Sequence, residues 1–180
     1  MITVISGTNR PGSRTLLFAT QYLGRLEQLG VEAQLLDLAD IPPHLFAEDM
    51  YNPETMTDAL KQLQNRFILG VEKMVIFVPE YNGSYPGILK LFIDRISVNE
   101  YARNFSGKHV ALVGVASGRA GNLRGMDHLC ATINHMGGWV LPNKLPLSNI
   151  ASLVDEAGGE ISDPDTIAAL DEHARQLIAA

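Results

Sequence analysis

Apolar and polar positions alternate between two periods along this chain. "MITVIS" is an apolar, β-branched run without charge and reads as a buried strand. In "SRTLLFATQYLGRLEQLG" the period lengthens to that of a helix, with Leu16, Ala19, Leu23 and Leu26 on one face and Gly30 as its stop. "VEAQLLDL" alternates like a strand, and "ADIPPHLFAEDMYNPET", broken by Pro42, Pro43 and Pro53, reads as a long loop. A helix is expected from about Met56 to Gly70, then a third strand in "KMVIFV" and a helix over Pro86 to Ser97, with Pro86 suited to its first turn. "KHVALVGVAS" is a fourth strand, "NLRGMDHLCATINHMGG" a helix and "WVLP" a short fifth strand. The last stretch, Asp163 to Ala180, is an amphipathic helix with Asp163 as N-cap before Pro164.

Strands that alternate with helices, with central strands almost wholly apolar, imply an α/β fold whose parallel sheet is covered on both faces by right-handed crossovers. No repeat, low-complexity segment or linker divides the chain, so one three-layer domain over residues 1–180 is expected. Ligands of such sheets bind beyond the carboxyl ends of the strands, at a switch point. The loops after strands one, three and four are therefore the ones to read for chemistry.

Composition narrows the class. The chain has 180 residues, 46% hydrophobic and 19% charged, as a soluble globular protein does. A net charge of −6 lacks the basic footprint that nucleic acid demands, so no nucleic-acid partner is expected. Cys130 is the sole cysteine, which rules out an intrachain disulfide and suits a reducing compartment. The N-terminus shows no signal peptide, and no apolar run is long enough to span a bilayer, so a cytoplasmic protein without a membrane partner is expected.

After strand one comes "SGTNRPGSRT". It opens a helix, whose N-terminus suits a phosphate. Thr8, Ser13 and Thr15 offer hydroxyls, and Arg10 and Arg14 offer charge. The plainer alternative is a capped helix, with Ser13 as N-cap and Arg14 solvated. The loop lacks the Lys-Ser/Thr ending of a Walker loop and the three spaced glycines of a dinucleotide fingerprint, so Asp37 reads as a strand-end residue rather than a ribose ligand.

After strand three comes "PEYNGSYPG". Pro79 restrains the strand exit, while Glu80, Tyr81 and Asn82 present main-chain donors and acceptors to a planar ring. Gly83 either clears space for that ring or serves a turn built of good turn formers. After strand four, "ASGRAGNLRG" brings Ser117, Gly118, Arg119 and Gly121 to the same edge, with a flexible loop as the alternative. Ser84 lacks the G-x-S-x-G spacing of a hydrolase nucleophile, and no His–acid pair is marked out for it. His128 and His135 have no completing metal ligands and read as surface or packing residues; Cys130 reads as a small core residue. No metal site is expected.

These motifs resemble those of the NAD(P)H-dependent FMN reductases, a family with azo, quinone and chromate reductase relatives. "GTNRPGSRT" is similar to their phosphate loop, "PEYNGSYPGILKLFIDRIS" closely resembles their ring-binding segment, and "SGRAGNLRG" resembles their third loop. The similarity runs over roughly Met1 to Pro142. It implies a flavodoxin-like three-layer sandwich, with a five-stranded parallel sheet in the order 2-1-3-4-5, and FMN as cofactor. Thr8, Arg10, Ser13 and Thr15 inherit the phosphate role, with Arg14 beside them. Pro79, Glu80, Tyr81, Asn82 and Gly83 inherit the ring's pyrimidine edge, and Ser117 and Gly118, with Arg119, the other edge. Arg95 stands where the family commonly has tryptophan, on a helix that contributes to its dimer interface.

The resemblance implies an oxidoreductase in which NADPH or NADH reduces FMN and a small molecule takes the electrons, with no catalytic side chain required. Tyr81 and Tyr85 either line the substrate face or pack. Six apolar residues of the third helix, Ile88, Leu89, Leu91, Phe92, Ile93 and Ile96, exceed what one sheet face is expected to bury, which suggests a homodimer or homotetramer. Two other functions stay open: a flavodoxin-like electron carrier without NAD(P)H turnover, and a noncatalytic binding module. The role of residues 143–162 is left open.

Overall fold

The computed structural model describes residues 1–46, 49–155, 157 and 159–180. Its central sheet runs β2 (Ala33–Asp37), β1 (Ile2–Ser6), β3 (Lys73–Pro79) and β4 (His109–Val115), all parallel. A fifth position beyond β4 is filled by two pieces, β5 (Trp139–Val140) and β6 (Leu145–Leu147). Between them the register on β4 shifts by two residues, from His109 opposite Trp139 to Val113 opposite Leu145. The expected fifth strand, "WVLP", therefore ends early. Pro142 has no N–H to donate, the chain bulges there, and pairing resumes with "LPL". The order 2-1-3-4-5 holds, with an extra strand segment at its end.

Period-two alternation divides the core between the two faces. In β3, Met74, Ile76 and Val78 face one core, packed under α3 (Gly87–Ser97) and α5 (Leu123–His135). Val75 and Phe77 face the other, under α1 (Arg14–Gln28) and α6 (Pro164–Ala179). The buried stripe of α1 is Thr15, Phe18, Ala19, Tyr22 and Leu26; Leu16 and Leu23 are only half-buried, so the stripe is rotated from the one expected. Asp163 caps α6 as expected, its carboxylate accepting the Thr166 N–H at 2.8 Å.

The helix expected from Met56 begins later. Thr57 caps α2 (Asp58–Gln64), and the chain then widens into a π-helical turn over Asn65–Leu69, closed by the Gly70 N–H to the Asn65 carbonyl at 2.8 Å. Gly70 permits this, because a Cβ there would sit 2.9 Å from that carbonyl oxygen. The buried Lys108 ammonium donates to the carbonyls of Ile68 and Val71 at the turn's end. The short helix α4 (Tyr101–Phe105) and the antiparallel pair β7 (Val154–Asp155) and β8 (Glu160–Ile161) were not apparent in the sequence.

The segment 39–55, expected as a loop, contains single helical turns at Pro43–Phe46 and Pro53–Thr55; Ala47 and Glu48 lie outside the described residues. It bears on two expectations about α3. Leu89, Phe92, Ile93 and Ile96 are all fully buried, because Ile41 and Leu45 of this segment join the core that α3 enters; Leu91 stays exposed. Arg95 is 2% exposed and donates to the carbonyls of Met50 and, at 2.5 Å, Thr55, so within this chain it ties the segment to α3. Among the described residues no helix is long and apolar enough to cross a membrane.

Candidate functional site

Beyond the carboxyl ends of β1, β3 and β4 lies a cleft of about 580 Å³, well within the span of roughly 300–1,000 Å³ usual for small-molecule sites. Ten of the expected residues line it: Thr8, Arg10, Ser13, Arg14 and Thr15 from the first loop, Pro79, Glu80 and Tyr81 from the second, Ser117 and Gly118 from the third. Asn82, Gly83 and Arg119 do not line it. Gly12, Val115, Ala116, Ile150 and Ala151 also line it and were not foreseen. Val115 and Ala116 had a signal, being the strand end that leads into Ser117. Ile150 and Ala151 had none, since they arrive only because β6 returns the chain to β4.

Each wall has a local cause. Gly7 brings the first loop against β3: its N–H donates to the Phe77 carbonyl at 2.9 Å, and a Cβ would lie 2.7 Å from that oxygen. Ser13 caps α1, its hydroxyl oxygen accepting the Leu16 N–H at 3.3 Å. A capped helix start still presents the positive end of its dipole, so capping and anion binding are compatible uses of one loop. On the far wall the Glu80 N–H donates to the Val115 carbonyl at 3.1 Å, and the Ile150 N–H to the Ala116 carbonyl at 3.3 Å.

The second loop closes on a tight turn. Tyr81 and Ser84 exchange main-chain hydrogen bonds of 3.0 and 3.1 Å around Asn82 (φ 53°) and Gly83 (φ 76°). Two positive φ values in succession make a type I′ turn, for which Asn-Gly is the favoured pair. A Cβ at Gly83 would meet only the Arg124 side chain, its guanidinium nitrogen at 3.1 Å. Within this chain Gly83 therefore serves the turn. Asp37 ends β2, its carboxylate accepting the Ala39 N–H at 3.2 Å.

Two polar contacts cross between elements. The Thr8 and Tyr81 hydroxyls are 2.8 Å apart, joining the first loop to the second. Ser84 Oγ lies 2.9 Å from His128 Nδ1, a pairing the sequence did not mark. Among the described residues no carboxylate orients His128, and the neighbouring Asp127 pairs with Lys144, so the acid of a triad is missing. Tyr85 packs against the core with its hydroxyl 3.4 Å from Thr132 Oγ1, which places it in the packing role. Cys130 is half-buried and also packs against the core. Among the described residues no group of three or more His, Cys, Asp or Glu side chains could hold a metal ion.

A doubly wound parallel sheet in the order 2-1-3-4-5, with its cleft beyond β1 and β3, defines the flavodoxin-like class. Residues 1–152 match the model of the NADPH-dependent FMN reductase family, and the chain belongs to that family of oxidoreductases. It is 30% identical to an NAD(P)H-dependent FMN reductase of Pseudomonas aeruginosa, over 97% of this chain and 86% of that one. An FMN-dependent NADPH-azoreductase of Staphylococcus saprophyticus is 25% identical over 79% of this chain and 73% of its own. Among solved structures, FerB of Paracoccus denitrificans, a flavoenzyme NAD(P)H:(acceptor) oxidoreductase, superposes with a TM-score of 0.74 at 25% identity, covering 99% of this chain and 94% of that one.

The residues present fit FMN. The first loop groups three hydroxyl side chains and two arginines at a helix N-terminus, a donor set suited to a phosphate dianion. The remaining lining includes the strand ends Pro79 to Tyr81 and Val115 to Gly118, whose main chain offers donors and acceptors to a flat ring.

Proposed function

We propose that this chain is an FMN-dependent oxidoreductase that uses NADPH or NADH as reductant and quinones, azo compounds, flavins or similar small molecules as acceptors. The observation that supports this most is one cleft lined both by the hydroxyl and arginine residues of the first loop and by the strand ends after β3 and β4. FMN, when bound, supplies the hydride acceptance and onward electron transfer. The protein's work is to bind, orient and exclude water. Thr8, Arg10, Ser13, Arg14 and Thr15 hold the phosphate, and Arg10 and Arg14 offset its charge. Pro79, Glu80 and Tyr81 meet the ring at one edge, Ser117 and Gly118 at the other. Asn82 and Gly83 contribute by shaping the turn that fixes Tyr81, and Arg119 by its place beside Gly118. Backbone N–H groups at the ring edge would favour the electron-rich state.

The proposal extends to residues 1–180 acting as one domain, to a cytoplasmic location suited to a chain with a single free cysteine, and to a homodimer or homotetramer. Tyr51 and Leu91, 62% and 37% exposed, supply apolar surface for such an assembly. Anaerobic addition of NADPH or NADH to the FMN-loaded protein should bleach the flavin absorbance, and a quinone should restore it. Steady-state plots should be parallel, because nucleotide and acceptor use one site in turn. Bound FMN that neither nucleotide bleaches would instead identify an electron carrier. A protein that stays colourless with added FMN would identify a noncatalytic module.

A further inference from the structure

The tyrosine of the second loop reaches the first. Tyr81 belongs to the turn after β3, whose main chain was expected to meet a ring edge, yet its phenol oxygen lies 2.8 Å from Thr8 Oγ1. Thr8 is 1% exposed and its oxygen also accepts the Arg10 N–H at 3.3 Å, so it is a fixed point of the anion loop. Both residues line the cleft.

The proton count of this pair decides its use. Two hydroxyls carry two protons, and the contact between them consumes one. If Tyr81 donates, Thr8 accepts from both Tyr81 and Arg10, and its own O–H is free. If Thr8 donates, the phenol O–H is free. Either way one donor is left over, in a cleft whose same end carries Arg10, Arg14 and the start of α1. A neutral partner has little need of that set, whereas a phosphate oxygen takes hydroxyl donors in short, charge-assisted hydrogen bonds.

We propose that Tyr81 is a phosphate ligand: Thr8 donates to the phenol oxygen, and the phenol O–H left over donates to the phosphate group of the bound flavin nucleotide. This rests on the flavin-binding reading above and differs from it in the atom and the end of the ligand that Tyr81 serves. The aromatic ring then spans the gap between the two loops, and the hydroxyl selects for a phosphorylated flavin over an unphosphorylated one.

The test compares FMN with riboflavin, which shares the ring and lacks the phosphate. Both are titrated by flavin fluorescence into the flavin-free full-length protein and into Tyr81→Phe, with inorganic phosphate as a competitor of FMN in each. Tyr81→Phe keeps the ring and removes one donor, and a thermal melt of each ligand-free protein confirms that both are folded. The expected result is about a tenfold or greater loss in FMN affinity, an unchanged riboflavin affinity and weaker competition by phosphate. Equal losses for FMN and riboflavin, or no loss for either, would overturn the inference while leaving flavin binding intact. A wild-type protein that binds neither flavin would overturn the functional reading and this inference with it.

Discussion

The side-chain amide of Asn122 donates to the main-chain carbonyl of Val78 across 2.9 Å, tying the start of α5 to the end of β3. Asn122 is 1% exposed, has φ 61°, and accepts the Gly125 N–H at 3.2 Å as the cap of α5. One residue thus joins the third loop to the strand that carries the second, and sets the distance between two walls of the cleft. Asn122→Ala would lose the cap, strand a buried carbonyl and force a left-handed backbone on alanine. Those costs together come to about 3 kcal/mol. Urea unfolding should show the loss, and FMN affinity should fall with it.

Glycines at the same edge separate by what surrounds them. A Cβ at Gly114 would lie 2.0 Å from the Gly121 carbonyl oxygen, and one at Gly121 would lie 2.5 Å from Pro146. The third loop is therefore packed back on β4 and under β6, backbone to backbone. Gly114→Ala is expected to cost about 1–3 kcal/mol and to displace Ser117 and Gly118. Gly24, inside α1, has nothing within 4 Å of a Cβ. Gly24→Ala should raise stability by up to about 1 kcal/mol. Thermal melts of the two variants shifting in the same direction would refute this account of the packing.

The proposed phosphate role of the first loop carries its own prediction. Arg10→Ala and Ser13→Ala should each weaken FMN binding, the arginine change by roughly tenfold or more, since hydrogen bonds to charged groups are the stronger kind. Both should remain folded. Chromatography of the released cofactor should give FMN rather than FAD, as a first loop proposed to close around a terminal phosphate requires. Unchanged titrations for both variants, or stoichiometric FAD, would remove the assignment of this loop.

What could be read from the residues was set by how local each cause is. The strands of β1, β3 and β4 are buried on both faces, so their apolar runs announce them. The Asn-Gly turn and the Asp163 cap are decided within four residues. Ile150 and Ala151 reach the cleft through the broken fifth strand, which depends on pairing with a β4 thirty residues earlier. Arg95 stands on a helix that the family resemblance places at a dimer interface. It is buried because a distant, proline-broken segment folds over it with two carbonyls to satisfy. The Ser84–His128 and Thr8–Tyr81 contacts likewise join separate elements, and no spacing rule within one segment anticipates them.

The most buried titratable pair lies away from the cleft and should govern acid stability. Tyr22 of α1 and His173 of α6 are both fully buried, with the phenol oxygen 3.0 Å from His173 Nδ1 and the rings edge to face. Burial pushes the Tyr22 pKa up, so the phenol keeps its proton and can donate it to Nδ1. Burial pushes His173 down from 6.5 to about 4, with the main chain at Asn143 and Leu112 opposing weakly. The folded protein thus holds a neutral imidazole, while the unfolded chain takes up a proton below its ordinary pKa of 6.5. Stability from this site is complete above that value, declines as pH falls and levels off below about 4. The loss by pH 5 is about 2 kcal/mol by linkage. Urea midpoints at pH 7.5 and pH 5 should therefore differ more for the wild type than for the Tyr22→Phe/His173→Leu double variant, in which neither group titrates and neither is left unpaired. Equal differences in the two proteins would show that the imidazole is already charged in the fold, or that other groups set the acid limit.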